Sequence, residues 1–297
     1  MIQTDPRIRA YFALAAICVI WGTTYTAIKF AVRDFPPYLL VGIRQSAAGL
    51  LLLGGAYFSG KMAPVTRKYV FTQGLIGLAT ITGGNGFITW GMQYVSSGLS
   101  AVIGSLTPVV VLFINLLWRG NEKINWYVIC GVLLGFGGLG VVFSDGWKDF
   151  ANPAYRWGIA GCFASCFAWS LGTVLAKRFN RRDVSPILNA GLQITAGGLG
   201  GFLLSGLFDT SHTIHHTPEG WGAVVYLMLI GSALAFTLYM FALKHLSATV
   251  SSLYTYINPV VAILLGWLLL GEHLNWMEAG GMLFTIAGVW MVNRGQQ

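Results

Sequence analysis

The chain reads as an all-α integral membrane protein of ten transmembrane helices, arranged as two inverted five-helix repeats. Three observations predict this: an apolar composition, a second half that echoes the first, and a one-sided distribution of basic residues. Hydrophobic residues make up 55% of the 297 positions and charged residues 9%, against about 25% charged in an ordinary soluble domain. So few charges cannot cover a surface in water, whereas this length supplies about ten spans of roughly 20 residues. The echo is explicit. Trp21 and Lys29 are answered by Trp169 and Lys177, and Pro108-Val109-Val110 by Pro259-Val260-Val261. Glu122, Asn125, Trp126, Gly131 and Gly138 are answered by Glu272, Asn275, Trp276, Gly281 and Gly288. A duplicated helix bundle with a site where its halves meet is a plan shared by many membrane carriers.

The spans are expected over 10–32, 38–58, 70–92, 98–118 and 126–143 in the first repeat (1–145). In the second (156–297) they are expected over 157–179, 186–207, 221–243, 248–270 and 276–293. Breaks are marked by Pro36-Pro37, by Lys61 to Lys68, by Gly120-Asn121-Glu122, by Asp145 to Arg156, by Arg181 to Pro186 and by Asp209 to Gly220. The links near Ser96-Ser97-Gly98 and Leu246-Ser247 are very tight. The first span follows a short N-terminus carrying Arg7 and Arg9. It is too long for a cleaved leader and belongs to the repeat, so it is read as an uncleaved helix.

With both termini cytoplasmic, the inner segments hold Arg7, Arg9, Lys61, Arg67, Lys68, Arg119, Lys123, Lys177, Arg178, Arg181, Arg182, Lys244 and Arg294. The outer segments hold only Arg33, Lys148 and Arg156, while Lys29 and Arg44 lie within spans. That bias fixes the orientation. An odd number of spans per repeat then makes the halves antiparallel. The net charge of +8 is ascribed to inner loops facing anionic lipid, and nothing resembles a nucleic-acid-binding module. Cys18, Cys130, Cys162 and Cys166 all lie in apolar stretches, so no disulfide framework is implied. Cys162 and Cys166 are i,i+4, and this pair is read as small-residue packing. His212, His215 and His216 form a polar outer loop without metal-ligand spacing. No metal and no cofactor are expected.

The stretch Ile20-Trp21-Gly22-Thr23-Thr24-Tyr25, the Pro36-Pro37 before the second span with its Arg44, and the segment from Ser97 through Pro108 to Gly138 resemble EamA-type transporters of the drug/metabolite transporter superfamily. The resemblance covers nearly the whole chain as two tandem copies. It implies a five-plus-five inverted bundle in the bacterial inner membrane that exports amino acids, related metabolites or drugs. It also implies a cavity lined by spans one, three, four, six, eight and nine. Gln193 stands where Arg44 stands in the first copy, so the halves are not functionally equivalent.

Candidate substrate-binding residues are the mid-span aromatics and amides. Trp21 and Tyr25 are i,i+4 in span one, and Trp169, the mate of Trp21, is expected to face it across the pseudo-axis. Asn85 lies at the centre of span three. Tyr254 and Asn258 are i,i+4 in span nine, and Thr107 in span four is the mate of Asn258. Trp90 and Tyr239 are second-tier candidates. Pro108 and Pro259 are expected to kink their helices and free a carbonyl one turn back. A mid-membrane aromatic is also ordinary packing, and a buried amide also bridges helices.

Lys29 and Arg44 lie near the outer ends of spans one and two. Lys29 is read first as snorkelling. Arg44, six residues or roughly 9 Å into its span at 1.5 Å per residue, is read as inward: on freed carbonyls, on Glu272, or on a substrate carboxylate. Pairs of Arg44 with Glu272 and Lys177 with Glu122 are expected to latch the two gates.

None of the ten acidic residues falls mid-span. Proton-coupled carriers often use a buried carboxylate, so a facilitator is expected, and an organic cation is disfavoured as substrate. The leading reading is an exporter of amino acids or related small metabolites working by alternating access. Broad drug efflux is the alternative. A membrane-embedded enzyme is disfavoured, because no His, Asp, Glu or Cys set clusters at depth. Duplication within one chain makes a monomer the default. The partners are a small-molecule substrate and the lipid bilayer; substrate identity, direction and coupling ion are not encoded legibly.

Overall fold

The computed structural model describes residues 5–118, 125–145, 151–272 and 276–295, and among them there are helices and no strands. In chain order the helical rods are α1 (Pro6–Ala31), α2 (Pro37–Phe58), α3 (67–91), α4 (Ser97–Leu117) and α5 (Trp126–Asp145). They continue as α6 (Pro153–Phe179), α7 (Pro186–Phe208), α8 (Pro218–His245), α9 (248–270) and α10 (Trp276–Arg294). Six of them (α1, α2, α4, α6, α7 and α8) are long and apolar enough to cross a membrane. Shorter apolar helices lie within α5, α9 and α10.

Five rods start on a proline in the first turn: Pro6, Pro37, Pro153, Pro186 and Pro218. Proline fits there because its missing N–H has no intrahelical partner to lose. The preceding side chains of Asp5, Asn152, Ser185 and Thr217 accept the next free N–H groups. These caps start α1, α6 and α8 three or four residues earlier than hydropathy alone indicates. Gly271, at φ 68°, ends α9 in the left-handed region.

Two rods change their winding. Leu78–Asn85 in α3 and Leu227–Leu234 in α8 are π-helical. The two stretches have equal length and sit 149 positions apart, at equivalent points of the repeat. α4 breaks at Ser105 and Leu106, just before Pro108, and α9 passes through a 3-10 turn over Leu253–Tyr256 before Pro259.

The two ends of the bundle are defined by packing. Ala10, Leu14, Leu246 and Ala248 share one large apolar cluster with Trp21, Tyr239 and Tyr254, which marks the near end. Ile28, Ala31, Phe35, Met92 and Val224 form another cluster at the far end. Phe12, Phe58, Leu117, Leu203, Leu207 and Leu268 are exposed on the rods' outer faces. An apolar belt of this extent is untenable in water and natural against lipid.

α2 packs along α7, and α5 along α10. The second contact depends on the glycines of α5: a Cβ at Gly131 would lie 2.4 Å from the Gly288 carbonyl oxygen, and one at Gly138 2.5 Å from that of Gly281. This small-residue face is therefore covered within the bundle and presents no free seam for a second copy. A leucine at Gly288 must push α5 from α10. Gly288→Leu is expected to destabilise the fold by about 1–3 kcal/mol, read as a lowered thermal midpoint in detergent, and an unchanged midpoint would show that the two rods are not in register.

Candidate functional site

A cavity of about 100 Å³ lies between the halves, lined by residues of α1, α2, α3, α4, α6, α8 and α9. It has room for several waters or the polar head of a small solute. Arg44 is the one ionisable acid or base of the Asp, Glu, Lys, Arg and His kind among its lining residues. Its side chain is 2% exposed. One terminal nitrogen donates to Ser232 Oγ of α8 at 3.1 Å and the other to Asn85 Oδ1 of α3 at 2.7 Å. Its Nε has no partner. A guanidinium buried without a counter-charge is costly, so this arrangement is suited to receiving an anionic group.

The floor of the cavity, toward the near end, is aromatic. Trp21 meets Trp169 edge-on at 5.3 Å between ring centroids, and it meets Tyr254 at 4.6 Å and Tyr239 at 5.2 Å. The Trp21 indole N–H donates to the Gly231 carbonyl in the π-helical stretch of α8 at 2.9 Å. Its repeat mate holds no carbonyl: the Trp169 indole lies against the hydroxyls of Tyr239 and Tyr254 instead. Tyr239 is fully buried one turn below the cavity, and its hydroxyl shares a 2.6 Å hydrogen bond with Thr173.

Most of the residues singled out from the sequence converge here. Trp21, Tyr25, Asn85, Thr107, Trp169, Tyr254 and Asn258 all line the cavity, with Arg44. Asn258 Oδ1 is buried without a partner, and the Tyr25 phenol lies beside it. The carbonyl freed by Pro108 is that of Gly104, and the Thr107 hydroxyl takes it at 2.7 Å. The carbonyl freed by Pro259 belongs to Thr255, itself a lining residue.

Other residues fall elsewhere. Trp90 is not in the cavity. Five residues past Asn85 is roughly 140° further round the helix, and Trp90 borders a separate polar recess at the far end with Tyr94, Asp209 and His215. Tyr239 is part of the plug beneath the cavity rather than of its wall. Arg44 does not pair with Glu272. That carboxylate instead accepts from the Ser97 backbone N–H at 3.0 Å and hydroxyl at 2.6 Å, capping the start of α4, with Lys29 the basic group within electrostatic reach. Lys177 donates to the carbonyls of Leu243 (2.7 Å), in the last turn of α8, and Leu246 (2.5 Å), in the link to α9. Glu122, its expected partner, lies outside the described residues.

The sequence reading passed over Gln45, Ser165, Gly231, Ser232 and Phe236, and it assigned Cys162 and Cys166 to packing alone; all of these line the cavity. The legible signal for Gln45 was a second polar residue beside Arg44 in an apolar run. Ser232 had none.

The EamA-like transporter family matches the chain twice, over residues 8–144 and 156–294. An uncharacterized inner membrane transporter of Escherichia coli K12, YedA, is 32% identical over 279 residues, covering 92% of this chain and 88% of that protein. An uncharacterized transporter of Synechocystis, sll0355, is 26% identical, covering 99% and 93%. A solved crystal structure superposes with a TM-score of 0.72 at 19% identity, covering 98% of this chain and 99% of its own, and shares the fold.

Proposed function

Because this chain belongs to the EamA-like transporter family, we propose that it exports amino acids or closely related small carboxylates by alternating access. It is a membrane transporter, and the family gives no ground for reading it as an enzyme. One observation carries the substrate class: the cavity between the halves holds a buried guanidinium, and among the described residues no carboxylate lines it. A substrate carboxylate would supply the missing counter-charge and accept from Arg44 Nε. The same polarity disfavours broad efflux of cationic drugs, since a desolvated cation beside Arg44 would face like charge.

In this reading all ten rods cross the bacterial inner membrane as two inverted repeats, with both termini cytoplasmic, and the chain acts as a monomer. The alternation rests on differences between repeat mates. Trp21 holds a carbonyl of α8 while Trp169 lies against the hydroxyls of Tyr239 and Tyr254, and Lys177 clamps the turn between α8 and α9. The near end is thus sealed by the aromatic plug and by the Lys177 clamp, with the cavity on its far side. In the opposite state, Trp169 and Lys29 take up the equivalent bonds in the first repeat, and the plug opens. The Glu272–Ser97 cap joins α9 to α4 at the far end.

Among the described residues no acidic side chain reaches the cavity to serve as a proton site, which supports a facilitator. The test is transport by the intact protein in proteoliposomes. Arg44→Met is expected to reduce counterflow of amino acids about 10- to 100-fold, the loss of a charge-assisted pair, while wild-type counterflow persists without a proton gradient. Unchanged transport in Arg44→Met would sink the carboxylate reading. Obligatory dependence on the gradient would sink the facilitator.

A further inference from the structure

We infer that Gln45 selects for an ammonium group on the substrate, so that the cavity takes zwitterions in preference to simple carboxylates. The inference rests on the reading that Arg44 holds the substrate carboxylate. Gln45 follows Arg44 on α2, lines the same cavity and is 2% exposed. Its amide oxygen is buried with no hydrogen-bond partner. The other fully buried glutamines are placed differently: Gln193 Oε1 is also without a partner, but its amide nitrogen donates to Gln73 at 2.6 Å, deep in the contact of α3 with α7. Of the glutamines, Gln45 alone is among the residues that line the cavity.

An unpaired buried acceptor destabilises a fold unless something donates to it. Arg44 does not: the bonds it makes go to Asn85 and Ser232. A second amide lies on another wall of the cavity, that of Asn258 of α9, with the Tyr25 phenol as its neighbour. The cavity therefore offers a cation for a carboxylate and, in Gln45, an unpaired oxygen for a group rich in N–H. A primary ammonium, with three donors on a carbon adjacent to the carboxylate, meets both demands. A site built to hydrogen-bond a substrate N–H discriminates strongly against the analogue that lacks it, because its own polar groups are then left unpaired.

The test uses matched ligands on the full-length protein in lipid nanodiscs: L-phenylalanine against 3-phenylpropionate, and L-leucine against 4-methylpentanoate. Binding is read by the fluorescence of the tryptophans that border the cavity. Wild type is expected to bind each amino acid at least tenfold more tightly than its partner acid. Gln45→Met, which keeps the volume and removes the oxygen, is expected to weaken the amino acids about tenfold and leave the acids within twofold. Unchanged binding of the acids doubles as the control for folding. Equal loss of both ligand types, loss of neither, or wild-type affinity equal for both, would overturn the role of Gln45 while leaving that of Arg44 standing. If wild type binds none of the four, the transport reading falls first and this inference with it.

Discussion

The burial of one guanidinium sets the terms for the rest of the structure. Arg44 sits in an apolar bundle with no carboxylate beside it among the described residues, and it is tolerated because α3 and α8 each bring it an oxygen, from Asn85 and Ser232. Those oxygens arrive from the two rods that carry π-helical stretches, one in each half. The charge is therefore held at the seam between the halves, by elements of both. A π-helical stretch adds a residue to the turn and is often found where a site needs an irregular backbone. Here one of the two stretches also lends the Gly231 carbonyl to Trp21. Charge, π-helical geometry and aromatic floor are one connected arrangement rather than three separate features.

The outline of the fold was legible because composition and repetition are both global signals. Apolar runs bounded by prolines and charges locate the rods to within a few residues. The early starts of α1, α6 and α8 follow from cap-proline pairs such as Asn152-Pro153, which lie outside the apolar run and so escape a reading based on hydropathy. The site was partly legible for a similar reason. Trp21, Asn85 and Asn258 are polar or amphipathic groups at mid-span, where such groups are expensive. Partnerships were not legible. Glu272 and Arg44 have complementary charges, yet the carboxylate finds the free N–H at the start of α4, a local backbone demand that no charge count reveals. Nor do the sequences of the π-helical stretches, Leu78–Asn85 and Leu227–Leu234, share any pattern that distinguishes them from ordinary apolar helix.

The halves are similar in plan and different in chemistry, and the difference falls at the places where mates would be expected to act alike. Gln193 replaces Arg44 and hydrogen-bonds Gln73, so the second half closes over an amide pair where the first keeps a charge. Trp21 is bonded to a carbonyl of α8, whereas Trp169 lies against the hydroxyls of Tyr239 and Tyr254. The cavity where the halves meet draws on both of them, and its single set of lining groups includes one guanidinium, Arg44 of the first half.

That single set carries an electrical consequence. In a carrier that alternates, the membrane potential falls across whichever side is sealed, so Arg44 sits at the potential of whichever compartment the cavity opens to. In a cell negative inside, one elementary charge gains about 2.3 kcal/mol per 100 mV by joining the inner compartment. The empty carrier would therefore rest with its cavity toward the cytoplasm. A cargo that is a zwitterion, as proposed, would add no net charge, so the voltage would set where the protein waits without driving the cargo.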